Sequence, residues 1–189
     1  MSHKERIPPG QREVSNFPIL DLGIRPDLTH DNWQLTLFGL VGQKVCLDWK
    51  ALLALPQVRQ CSDFHCVTTW SQLDMDWEGV LARDVLALAT PLPEAHFVTV
   101  HSYDDYTTNL PLSALLDDDV LIAHSFQGGP LADEHGGPVR LIVPKRYGWK
   151  SAKWLRAIEF HVEDRPGYWE VRGYHNDADP WLEERYDER

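Results

Sequence analysis

Residues 63–71 read Asp63-Phe64-His65-Cys66-Val67-Thr68-Thr69-Trp70-Ser71, a cysteine set between a histidine and two threonines. The run from Val58 to Cys66 reads as extended chain, so Cys66 stands at the end of a strand. Successive side chains on an extended segment point to opposite faces, which makes His65 a poor base for its neighbour. On the residues alone three readings of Cys66 stay open. It is a buried small hydrophobe, the default for each of Cys46, Cys61 and Cys66. Or it is a nucleophile whose base comes from elsewhere in the fold. Or it is a thiolate ligand for a soft metal whose other donors come from an organic cofactor. The third reading needs cations and amides for the cofactor's anionic groups. Arg140, Lys145, Arg146, Lys150 and Lys153 form such a basic stretch in an acidic protein. Solvated surface is the plain alternative, yet Tyr147-Gly148-Trp149 inside the run is not ordinary surface, and its glycine lets backbone approach a ligand.

Working outward, Trp33, Leu35 and Leu37 alternate with polar residues and predict a strand, and Val45 to Leu47 predicts another. Asp48 reads as the N-cap of a helix from Trp49 to Ala54 that Pro56 stops. After Cys66, Trp77 to Val80 reads as a link into a helix over 81–89. Phe97 to His101 is a strand, 103–109 a polar loop, and 112–116 a short helix opened by Pro111. Val120 to Ser125, Val139 to Val143 and Trp154 to Val162 complete the strands. Two Gly-Gly-Pro turns, at 128–130 and 136–138, punctuate them. Strands outnumber short helices at irregular intervals, which predicts an α+β, β-rich mixed fold rather than a regular βαβ array. One domain spans 1–189, with 1–30 an extended N-terminal arm and 163–189 an irregular acidic tail.

The chain has 189 residues and a net charge of −11. That disfavours nucleic acid and anionic membrane surfaces as partners. The acid gathers late, in Asp177, Asp179, Glu183, Glu184, Asp187 and Glu188, and reads as a solvated face. The start is polar, with no leader peptide and no apolar run of the ~20 residues that span a bilayer, so the expected location is cytoplasmic. There is no phosphate-binding glycine loop of the Walker type and no G-x-G-x-x-G opening a helix. Neither H-E-x-x-H nor C-x-x-C occurs, which argues against zinc.

Two stretches together resemble the sulfite oxidase family of molybdopterin enzymes. The likeness lies in Phe64-His65-Cys66-Val67-Thr68-Thr69-Trp70-Ser71 and Trp77-Glu78-Gly79-Val80, then in Gly136 to Pro144 and Tyr147 to Trp154. It is nearer to the short single-domain branch that includes the methionine sulfoxide reductase catalytic subunit. The resemblance implies a sulfite-oxidase-type fold holding molybdenum through one molybdopterin dithiolene, with no nucleotide. It makes Cys66 the metal ligand and the catalytic cysteine. It places Asn16, Phe17, His65, Ser102, His135, Arg140, Ser151, Ala152 and Lys153 around the cofactor. It implies oxygen-atom transfer on a small sulfur- or nitrogen-oxide substrate. Val67-Thr68-Thr69-Trp70 stands where sulfite oxidases carry sulfite-binding arginines, so sulfite itself is not carried over. No room remains for a haem domain, so a separate electron-transfer partner is expected. A cofactor-binding module without turnover and a cysteine-nucleophile enzyme are the rival readings.

Overall fold

A computed structural model describes residues 3–187; Met1, Ser2, Glu188 and Arg189 lie outside the described residues. In chain order the elements are β1 (Arg12–Glu13), β2 (Gln34–Gly39), β3 (Val45–Asp48), α1 (Trp49–Leu53), β4 (Val58–Cys66), β5 (Trp70–Leu81), α2 (Ala82–Ala87), β6 (Phe97–Ser102), β7 (Thr107–Pro111), α3 (Leu112–Leu115), β8 (Leu121–Phe126), β9 (Gly129–Pro130), β10 (Arg140–Ile142) and β11 (Leu155–His161). Short 3₁₀ turns punctuate them, including Gly148–Lys150 and Glu170–Arg172. This is the α+β, strand-dominated fold that the sequence predicts.

The strands form two sheets. In the first, β5 carries β4 on one edge and β1 and β8 on the other, and β8 continues to β10 and β9. The second runs β3-β2-β11-β6-β7, antiparallel except for the β11–β2 pair. The main core gathers Leu35, Leu37 and Ile158 of the second sheet with Val80, Ile122 and Leu141 of the first. Alternation then sends Leu121, Ala123 and Ile142 to the opposite face of the first sheet. There they build a second core with Phe64, Cys66, Trp70 and Trp77. Cys66 and Arg140 share that face.

Asp48 caps α1 as its sequence predicts, accepting from the Ala51 amide at 2.7 Å. Four expectations are corrected. Trp77 to Val80 is not a link but part of β5, where Leu73, Met75 and Trp77 are buried and Asp74 and Asp76 exposed. That period-2 pattern is masked by acidic residues that rarely favour strands. The loop read over 103–109 becomes strand from Thr107, because Thr108 and Asn109 are buried and paired rather than solvated. Cys46 and Cys61 are exposed, not buried. Lys150, read with the basic run as a cofactor cation or else as solvated surface, is fully enclosed and pairs with Glu170.

Candidate active site

β4 and β5 are joined by a three-residue loop, Val67-Thr68-Thr69, with Cys66 opposite Trp70. Thr69 adopts a left-handed φ of 71°, as the last residue of such hairpin loops does. The Cys66 carbonyl accepts from the Thr69 amide at 3.1 Å and from Gln11 Nε2 at 3.0 Å. Arg185 Nη1 donates to the Val67 carbonyl at 2.7 Å. Both ends of the chain therefore grip the loop that presents the cysteine.

Cys66 opens into a cavity of about 290 Å³. Strand alternation brings Phe64 to the same cavity and turns His65 away. His65 hydrogen-bonds Ser71 Oγ at 2.8 Å through Nδ1, and burial pushes its pKa down to about 4. Burial pushes the Cys66 thiol up, against the pull of the Thr68 hydroxyl, the Thr68 and Val67 amides and Arg185. Thr68 Oγ1 lies 3.2 Å from the sulfur. Among the described residues no histidine lines this cavity, so a nucleophilic Cys66 has no imidazole base there. A bound metal cation removes the thiol proton without one.

Two cations line the same cavity. Arg140, 2 % exposed, donates through Nη1 to the His135 carbonyl at 2.7 Å and through Nη2 to the Ser151 carbonyl at 2.9 Å. It is ringed by Phe17, Phe64 and Trp77, each about 5.7 Å from the guanidinium carbon. Burial pushes its pKa down to about 9, which still leaves a full positive charge at neutral pH. Lys153 Nζ donates to the carbonyls of Leu20 and Glu134, both at 2.6 Å. Burial and the nearby Arg140 push its pKa down to about 8. Three buried polar atoms here have no protein partner: Arg140 Nε, Ser102 Oγ and His135 Nδ1. Buried groups in that condition cost roughly 1–3 kcal/mol each. An anionic ligand with phosphate-type acceptors matches the two cations and the free Arg140 and Ser102 donors, and a metal matches the buried thiol.

The structure thus brings together Phe17, Cys66, Ser102, Arg140, Ser151 and Lys153. His135 stands one layer behind, stacked on Phe17 at 4.3 Å and 9°. Asn16, His65 and Ala152 are not among the cavity's lining residues. Asn16 is exposed, His65 faces another recess, and Ala152 packs in the main core with its carbonyl on the Leu141 amide. Sequence reasoning missed Asp104, Tyr106, Trp169 and Tyr174, which also line the cavity. The Trp- and Tyr-rich composition of the tail was the signal for the last two.

Gly148 explains the close seat of the basic-aromatic run. A Cβ there would overlap the Phe64 ring, so only glycine lets the 148–150 turn pack beside Cys66's strand. Within that run Lys150 has a structural partner, Glu170, at 2.6 Å. Lys145 and Arg146 pair outside the cavity with Asp117 and Asp177.

Comparison with known proteins accords with this geometry. Residues 22–169 match the family described as oxidoreductase molybdopterin binding domain. The chain is 43% identical over 184 residues to the oxidoreductase YuiH of Bacillus subtilis (strain 168), covering 96% of this chain and 92% of that one. It is 28% identical over 156 residues to the protein-methionine-sulfoxide reductase catalytic subunit MsrP of Campylobacter jejuni, covering 74% of this chain and 52% of that protein. The crystal structure of the sulfane dehydrogenase SoxCD from Paracoccus pantotrophus shares the fold, with a TM-score of 0.68 at 23% identity over 74% of this chain and 41% of that one. The chain thus spans nearly all of the Bacillus relative and about half of the others. Among the described residues no helix is long and apolar enough to cross a membrane. The chain belongs to the oxidoreductase molybdopterin binding domain family and is a molybdenum-dependent oxidoreductase of the sulfite oxidase type, with molybdopterin as its cofactor.

Proposed function

We propose that this protein reduces a small organic sulfur or nitrogen oxide by oxygen-atom transfer, taking electrons from a separate redox partner. The observation that carries the reading is a buried thiol and a buried, carboxylate-free arginine lining one cavity. Cys66 would be the protein's ligand to molybdenum. Arg140 Nε, Ser102 Oγ and Lys153 would hold the phosphate end of the molybdopterin. When bound, the cofactor supplies the two-electron chemistry at the substrate oxygen. The protein's part is to orient and tune it. Thr68 Oγ1, at 3.2 Å, donates to the sulfur once it is a thiolate and draws charge from it. Arg185 fixes the loop through the Val67 carbonyl and adds positive potential. The aromatic walls exclude water and strengthen these electrostatics. Overall, R₂SO plus two electrons and two protons gives R₂S and water. The name of the Campylobacter relative supports a sulfoxide substrate. Val67-Thr68-Thr69-Trp70 offers no cation for sulfite.

Cys66→Ser, made in a molybdenum-replete host, tests this. The expected result is loss of molybdenum by metal analysis and electron paramagnetic resonance, with loss of sulfoxide-dependent oxidation of a reduced viologen dye. Full molybdenum content in the inactive variant would refute the ligand role.

A further inference from the structure

The tail beyond β11 does more than close the fold. Trp169 and Tyr174 flank the Glu170–Arg172 turn, and the Tyr174 amide donates to the Trp169 carbonyl at 3.1 Å. Gly173, at φ 93°, reverses the chain between them. Both rings therefore land on one side, stacked at 4.8 Å and 24°. Trp149 meets Tyr174 edge-on at 5.1 Å and 81°. All three line the cavity that Cys66 opens into.

This wall contains no cation. Arg140 and Lys153, which also line the cavity, are engaged by the His135, Ser151, Leu20 and Glu134 carbonyls, and Arg185 turns its donors to the Val67 and Pro9 carbonyls. An inorganic oxyanion would lose its hydration there without a charged partner, a costly exchange. A flat apolar group would gain stacked and edge contacts with the rings.

We propose that Trp149, Trp169 and Tyr174 form the specificity wall of the enzyme, selecting an organic oxide that carries a planar apolar substituent, such as an aryl sulfoxide. This rests on the oxide-reductase reading and adds the substituent the site prefers. The wall is held in place by Glu170, whose Oε1 accepts from Trp149 Nε1 at 2.9 Å and pairs with Lys150.

The test uses molybdenum-loaded enzyme and two readouts. The first is calorimetric binding of methyl phenyl sulfone and dimethyl sulfone, which resemble the substrate but are chemically inert. The second is reduction of methyl phenyl sulfoxide and dimethyl sulfoxide with reduced viologen as electron donor. Wild type is expected to bind the phenyl sulfone at least about tenfold more tightly than the dimethyl compound. Trp169→Ala is expected to erase that preference and raise KM for the phenyl sulfoxide by a similar factor, whereas Trp169→Phe restores most of it. Equal binding of the two sulfones by wild type, or an unchanged preference in Trp169→Ala, overturns the wall. Loss of molybdenum in Trp169→Ala also overturns it, because the ring would then belong to the cofactor. Selective sulfone binding without sulfoxide reduction upholds the wall and refutes the reaction. Reduction of both sulfoxides with no phenyl preference does the opposite.

Discussion

The Glu170→Ala substitution should be the most damaging single change outside the cofactor site. Glu170 is 5 % exposed, and its Oε1 takes three donors: Lys150 Nζ at 2.6 Å, Thr108 Oγ1 at 2.8 Å and Trp149 Nε1 at 2.9 Å. Lys150 is completely buried, and its other contacts are the Asn109 carbonyl at 2.8 Å and Asn109 Oδ1 at 3.2 Å, both neutral. Removing the carboxylate strands an ammonium and two donors in the interior. Breaking a buried ion pair costs ~3–5 kcal/mol, and stranded donors cost ~1–3 kcal/mol each, but neighbouring losses overlap. Burial already pushes the Lys150 pKa down. Without Glu170 the lysine sheds its proton more readily, which caps the loss. A net ~4 kcal/mol is expected. At ~2–4 °C per kcal/mol for a chain of this size, the thermal midpoint should fall by roughly 8–16 °C. Replacing both partners, Lys150→Met with Glu170→Leu, should recover more than half of that, because no charge is then stranded. Scanning calorimetry of wild type, Glu170→Ala, Glu170→Leu, Lys150→Met and the double variant measures the loss and closes the cycle. A Glu170→Ala protein within ~1 kcal/mol of wild type, or a double variant worse than the single, would refute this account of the pair.

Two further outcomes follow from the same coordinates. Gly148→Ala should displace the Phe64 ring, cost ~1–3 kcal/mol as overpacking does, and lower cofactor content; full molybdenum content with unchanged stability would count against the close-packing argument. Lys153 has its pKa pushed down to about 8 in the folded, cofactor-free protein, from 10.5. Between those values the unfolded chain holds a proton that the folded chain lacks, so folding stability rises with pH across that window. The lysine is only partly enclosed, so the gain should be ~1–2 kcal/mol rather than the full shift. It should vanish in Lys153→Met and shrink with cofactor bound, as thermal melts at pH 7.5, 9 and 10.5 would register; a flat profile in the cofactor-free wild type would contradict it.

The site was legible where its chemistry depends on residue identity and sequence order. Cys66, Arg140, Ser151 and Lys153 sit in short runs whose spacing is set by strand ends and tight turns, so their identity carries to their place. The opposed faces of His65 and Cys66 followed from alternation alone. What was not legible depends on distant pairing. Nothing near Lys150 in sequence announces Glu170, twenty residues on, so a buried structural cation read as one of the cofactor's cations, with solvated surface as the alternative. Thr108 and Asn109 read as loop because their polarity is satisfied by partners far away in sequence: Glu170 for Thr108, and Lys150, Asp164 and Asn176 for Asn109. The acidic tail read as solvated because Asp177 and Glu183 are indeed outside, while Glu170 and Ala178 in the same stretch are buried. Composition averages over that difference; packing does not.

The cofactor site also explains why two sheets meet as they do. Cys66, Trp70 and Arg140 come from the first sheet, on the face away from the main core. Ser102 ends β6 of the second sheet, and Lys153 lies just before β11. The 148–150 turn, pinned by Gly148 on Phe64 and by Lys150 on Asn109 of β7, bridges the two. A ligand that touches Cys66 at one end and Ser102 at the other therefore fastens both sheets across their seam. Without it, Arg140 is held by carbonyls and aromatic faces, and its charge opposes that of nearby Lys153. In the proposed binding mode the cofactor would relieve that repulsion and satisfy the free Arg140 Nε and Ser102 Oγ in one step. Groups that destabilise the cofactor-free protein would then supply affinity for the cofactor, and cofactor loading and folding stability should rise together.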